Sequence, residues 1–154
     1  MTPYVRPSIE ADCVYLSTHL RDADRRECEL WGHDPLPSLR TGLSYSLQPL
    51  TVVGPSGKPA AMFGLTGGTG EDATVWLLGT PEITSFPMTF LRQSRLWMDH
   101  LCRPIRGIDR VKGVGNWVDL RNTKHVDWLR WMGFTKTSSR DQSGIEIGYF
   151  RKAL

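Results

Sequence analysis

The chain has 154 residues, 40% of them hydrophobic and 23% charged, which is about the length of one domain and enough apolar material to close a core. Its formal charge is only +3, and the basic residues from Arg6 to Lys152 are interspersed with acidic ones, so no dense cationic face is available for nucleic acid. No apolar run reaches the roughly 18 to 20 residues that cross a bilayer and the N-terminus lacks an apolar signal core, which predicts a single soluble domain over 1–154, not exported, with no nucleic-acid or membrane partner.

Tyr4 and Val5 read as an extended start, and Ser8 as the cap of a helix whose Ile9, Cys13, Leu16, Leu20 and Ala23 fall on one face. The same stripe continues through Glu27 to Leu30, so either the helix bends first or Glu27 faces something polar. Gly32 to Pro37 reads as a loop, and Leu36, Leu39, Leu43 and Leu47 predict a short second helix. The period then changes. Leu50 to Val53, the turn Gly54-Pro55-Ser56-Gly57 and Ala60 to Leu65 predict a β-hairpin, which Gly67, Gly68 and Gly70 link to a strand at Thr74 to Leu78.

From Met88 to Leu101 the apolar positions Phe90, Leu91, Trp97, Met98 and Leu101 mark an amphipathic helix. Val114 to Leu120 reads as a strand, and Asn122 caps a helix carrying Val126, Leu129 and Met132 that Gly133 ends. Strands at Phe134 to Thr137 and Ile145 to Arg151 flank a polar turn, Ser138 to Gly144. The order β-α-α-β-β-β-α-β-α-β-β is an α/β fold with a mixed sheet, and the helix between the fourth and fifth strands makes a right-handed crossover between parallel neighbours. Cys13, Cys28 and Cys102 lack metal-ligand spacing and read as reduced, buried side chains, while Trp117, Trp128 and Trp131 read as core and rim packing. No metal site is expected.

The segment Asn122-Thr-Lys-His-Val-Asp-Trp-Leu-Arg-Trp-Met-Gly-Phe134 resembles the stretch after the fifth strand of the Gcn5-related N-acetyltransferases (GNAT), where an Asn begins a helix and a Gly-Phe pair ends it. Leu20-Arg-Asp-Ala-Asp-Arg-Arg-Glu27, Gly57-Lys-Pro-Ala-Ala-Met-Phe-Gly64 and Trp76-Leu-Leu-Gly-Thr80 resemble, in order and over nearly the whole chain, the internal virion protein A family of short-tailed bacteriophages. The resemblance implies a GNAT-like acyl-CoA N-acyltransferase fold and acetyl-CoA as the cofactor. It also implies a phage-encoded protein of the host cytoplasm or the virion, whose partner is a phage or host protein.

Against the GNAT pattern, Gly79-Thr-Pro-Glu-Ile-Thr-Ser-Phe-Pro87 lacks the basic residue and glycine spacing of the pyrophosphate loop, and Glu82 would repel phosphate there. Thr84 and Ser85 at the helix start read as caps, with an anion site as the alternative. A Tyr general acid expected seven residues after the motif Asn is Leu129, and a small Ala expected three after it is His125. The candidate catalytic residues are Glu27, Asp119 and Asp24, each either a base or the partner of an Arg such as Arg21, Arg25 or Arg121. The candidate cofactor contacts are the backbone near Leu78 and Gly79, with Asn122 and His125; His125 either serves the chemistry by titrating near neutral pH or is simply hydrogen-bonded. The missing loop and phenol favour a non-catalytic protein of virion assembly or host binding. The alternative is an active N-acetyltransferase acting on a host or phage protein or a small amine.

Overall fold

Leu50–Val53 (β2), three of whose four residues are β-branched, and the apolar segment Pro59–Thr66 (β3) pair antiparallel, Leu50 opposite Phe63, and are buried along almost their whole length. Such continuous burial requires cover on both faces of the sheet. The computed structural model, which describes residues 1–67 and 70–154, supplies that cover. Gly68 of the expected glycine link lies outside the described residues. Strands β1 (Tyr4–Pro7), β4 (Asp72–Gly79), β5 (Gly113–Asp119), β6 (Thr135–Gln142) and β7 (Ile145–Ala153) complete a seven-stranded sheet of order β1-β2-β3-β4-β5-β7-β6. All neighbours are antiparallel except β4 and β5, which are parallel as expected of strands joined by a helical crossover.

Helices α1 (Glu10–Ser17), α2 (Asp22–Leu30) and α3 (Pro35–Tyr45) bring Cys13, Leu16, Leu20, Cys28 and Leu39 together around Met62. Helices α4 (Pro87–Cys102) and α5 (Thr123–Trp131) bring Met98, Leu101, Trp128 and Leu129 to a larger core with Phe63, Val75, Val118 and Phe150. The three cysteines are all buried and free. Gly42 of α3 lies where any Cβ would come within 2.6 Å of the Trp76 ring, so only glycine lets this helix settle on β4. Among the described residues no helix is long and apolar enough to cross a membrane.

The expected first helix is two helices. Its chain turns out of the helix at Thr18, and α2 restarts after Arg21, whose N–H donates to the Gly79 carbonyl at 2.8 Å. The restart changes the rotational phase, so the buried face of α2 is Asp24, Glu27 and Cys28 rather than Ala23 and Leu30. Ser8 does not cap α1: its hydroxyl meets that of Thr51 at 2.8 Å, and the Asp12 carboxylate takes the Ile9 N–H at 2.9 Å. Helix α3 begins at Pro35, inside the expected loop, because proline at the first helical position lacks only an N–H that would have no partner there. The expected turn Ser138 to Gly144 shrinks to Ser143-Gly144, both at positive φ, and the rest extends β6. Almost every residue of this edge strand is exposed, so no alternation of apolar residues marked it.

Candidate functional site

β4 and β5 run side by side for only three residue pairs, Asp72 with Gly113, Ala73 with Val114 and Thr74 with Gly115. Beyond them the Asn116 amide, instead of a backbone group, donates to the Val75 carbonyl at 2.8 Å, and the strands part. From there β5 is paired on its other side alone, with β7 out to Asp119 opposite Ile147.

Helix α2 holds both parted ends. Asp24 Oδ2 accepts the Gly79 N–H at the end of β4 (2.9 Å), and Glu27 Oε1 accepts the Asp119 N–H at the end of β5 (2.7 Å). Carboxylates three residues apart on a helix lie on one side of it, so a single turn can span the gap. Asn122, just before α5, joins the two: its Nδ2 donates to Asp24 Oδ1 at 2.9 Å and to Glu27 Oε2 at 3.2 Å, and its Oδ1 accepts from Arg21 at 2.8 Å and caps the helix at the His125 N–H. Arg21 also reaches both oxygens of Asp24 at 3.2 Å. Asp24 therefore accepts from four N–H groups. The ligand atoms of Asp24, Glu27 and His125 lie within 4.8 Å of one another, close enough for a metal. The N–H groups already directed at both carboxylates instead make the cluster a hydrogen-bond network.

His125 Nδ1 lies 3.2 Å from Glu27 Oε2, whereas Nε2 is the one buried side-chain nitrogen or oxygen without a partner among the described residues. Burial pushes the imidazole pKa down, but the charge and hydrogen bond of Glu27, with Asp24 behind it, outweigh burial and raise it above the ordinary value. Asp119 is held differently. Burial pushes its carboxyl up, yet hydrogen bonds and charge from Arg121, 2.7 Å away, keep it below the usual carboxylate range. Cys28 is pushed up to about 11 by burial, which leaves its thiol protonated and unreactive at neutral pH.

Two cavities flank the gap and share Leu77 and His125 as walls. The larger, about 550 Å³, is lined by Glu27, Trp31, Trp76 and Trp117 in addition. The other, about 410 Å³, is lined by Arg21, Thr84, Phe90 and Lys124 in addition. Strand parity assigns the backbone facing the gap. The Thr80 N–H donates to the Ala60 carbonyl at 2.8 Å, so Gly79, whose N–H goes to Asp24 and whose carbonyl goes to Arg21, points away from β3. Leu78 points back toward β3, and Leu77 points into the gap with no partner among the described residues.

Of the residues singled out from sequence, Asp24, Glu27, Asn122, His125 and the backbone of Gly79 thus form one network. Asp119 joins it through its N–H alone, its carboxylate belonging to Arg121. Leu77, inside the quoted Trp76–Thr80 segment but not singled out as a site residue, carries the backbone groups left without a partner among the described residues. Glu82 does not face the smaller cavity: its carboxylate accepts from the Ser56 N–H and hydroxyl at 2.9 and 2.7 Å, over Gly54 in the β2–β3 turn. Thr84 and Ser85 donate back to the carbonyls of Pro81 and Glu82 in a 3-10 turn, Pro81–Ser85, and Thr80 is the cap. Trp128 is buried with its N–H on Ser94, Trp131 lies at the rim under Arg95, and Trp117 walls the larger cavity under Arg140.

No protein-family model matches the chain, and no curated protein matches it. Solved structures do. Aminoglycoside acetyltransferase AAC(6')-Ib in complex with coenzyme A is 14% identical, with 99% of this chain and 95% of that one covered at a TM-score of 0.65. Spermidine N-acetyltransferase from Vibrio cholerae, in complex with CoA and spermine, is 12% identical, with 99% and 95% covered at a TM-score of 0.64. An acetyltransferase of the GNAT family from Streptococcus pneumoniae is 14% identical, with 99% of each chain covered at a TM-score of 0.61. At these identities the likeness is one of architecture, and the chain has the GNAT fold.

Proposed function

We propose that this protein is an acetyl-CoA-dependent N-acyltransferase that joins an acyl group to an amine in the gap between β4 and β5. The observation that carries the reading is the shared wall: one cavity on each side of the parted strands, meeting at His125 and at the Leu77 backbone, which has no partner among the described residues. A donor and an acceptor entering from opposite sides would meet there, and holding two reactants in line removes much of the barrier to a bimolecular reaction. Acetyl-CoA, when bound, supplies an acyl group activated as a thioester. The Leu77 N–H and carbonyl would grip its amide-bearing arm as an added strand would be gripped, and Lys124 on the rim of the smaller cavity would face its phosphates. The displacement of Glu82 onto the β2–β3 turn removes the like charge that would have opposed them.

Isothermal titration with acetyl-CoA tests the proposal, with saturable heat expected. No heat at millimolar acetyl-CoA, from protein that still unfolds cooperatively, would remove it. A second reading, a scaffold without catalysis in virion assembly or in binding a host protein, is favoured by Pro81 and Pro87. Neither has an N–H to offer a phosphate where α4 and the turn before it begin. Capture of a defined virion or host protein from infected cells, together with a blank titration, is the outcome that reading expects.

A further inference from the structure

We infer that His125 is the proton acceptor of the transfer step and Glu27 its positioning residue, an assignment that rests on the acyltransferase reading above. The ring is only 6% exposed and forms a wall of both cavities. Glu27 accepts from the Asp119 backbone N–H and the Asn122 amide, and His125 Nδ1 lies 3.2 Å from its Oε2. An ionised carboxylate only accepts, so in the neutral ring Nδ1 carries the hydrogen that faces it, and Nε2 is left as a lone pair with no donor among the described residues. The neighbouring carboxylates offer no such site. Asp24 is occupied by four donors, and Asp119 by Arg121.

His125 Nε2 accepts the proton that an amine nitrogen sheds as its new bond to the acyl carbon replaces the carbon–sulfur bond, whose electron pair leaves on sulfur. The imidazolium then gives that proton to the sulfur, so amide and thiol are the products and the ring ends as it began. Glu27 and Asp24 on α2 favour the charged ring, and Arg21 ahead of α2 opposes it. Lys124 and Asp127 of its own helix line the smaller cavity beside it, and Cys28 and His33 line the larger. A base works in its neutral form, so transfer rises with pH through a midpoint above that of an ordinary histidine.

The test has a spectroscopic arm and a kinetic arm. In protein labelled with 15N-histidine, with His125→Gln to assign the ring, the neutral form is expected to carry its hydrogen on Nδ1, and Glu27→Gln is expected to lower the midpoint of titration. A neutral ring protonated at Nε2 overturns the assignment. With acetyl-CoA and either spermine or kanamycin as probe amine, read by thiol release, His125→Gln is expected to lose about 100-fold or more in kcat, and Glu27→Gln to shift the pH profile downward. Wild-type turnover by folded His125→Gln that still binds acetyl-CoA sinks the assignment alone, whereas absence of acetyl-CoA binding by the wild type sinks the acyltransferase reading with it. If acetyl-CoA binds and neither amine is acetylated, the ring spectrum decides.

Discussion

Two buried carboxylate clusters can be set side by side. At the start of α1, Asp12 takes Arg6 on both oxygens at 2.8 Å, the Ile9 N–H at 2.9 Å and the Thr51 hydroxyl at 2.8 Å. It is a closed group that ties β1, α1 and β2 together. The face of α2 is equally dry, but its network ends in an imidazole nitrogen with no partner among the described residues. Buried polar atoms are nearly always paired, so a cluster kept only for architecture should close as the first does. The second differs by one atom, and that atom belongs to the ring shared by the two cavities.

The comparison breaks most readily at Asp24. Asp24→Ala leaves the Gly79 N–H without its acceptor, takes the carboxylate from the partly buried Arg21 and removes one of the two acceptors of the Asn122 amide, and should cost about 3 to 5 kcal/mol in urea unfolding. Asp12→Ala should cost less, about 2 to 3 kcal/mol, because the Arg6 side chain is 32% exposed and can turn to water. A smaller effect separates the clusters by sign. Burial pushes Asp12 up, but bonds from Arg6, Ile9 and Thr51 hold it below its ordinary 3.8, so its contribution is full above that pH and lost as pH falls through the lowered value. His125 is raised above 6.5, so its contribution is full below that pH and lost as pH rises through the raised value. Unfolding free energy measured across pH should lose the acid limb in Asp12→Asn and the near-neutral limb in His125→Gln. The smallest change is expected from His125→Gln on stability at pH 8, within about 1 kcal/mol by the same unfolding, since glutamine keeps a donor for Glu27 and removes an acceptor that had no donor.

Much of the fold was legible where the signal is local. The β2–β3 hairpin is bounded by its own turn formers, and α5 carries its cap and its terminating Gly133, at φ 94°, within a dozen residues. The break between α1 and α2 was open only as one of two ways to place Glu27, and its position was not legible, because the bond that holds it runs from Arg21 to Gly79 on another element. Glu27 in an apolar stripe was the sign of the site that periodicity gave, whereas Asp24, Asn122, His125 and Gly79 were singled out through the family resemblance. The partners of Glu27 lie more than ninety residues away, and no spacing rule reaches so far. Leu77 was passed over for Leu78 and Gly79 because which strand residues face a gap depends on the register with β3, a property of the pair and not of either sequence.

The grip of α2 on both parted strand ends has a mechanical consequence. A helix turn is stiff along its axis, whereas an unpaired strand end is not, so the opening takes its width from a rigid gauge. Ligands should therefore meet jaws already set rather than a hinge that must close around them. Lengthening α2 by one residue between Asp24 and Glu27 would rotate one carboxylate off the gap and let that jaw go slack.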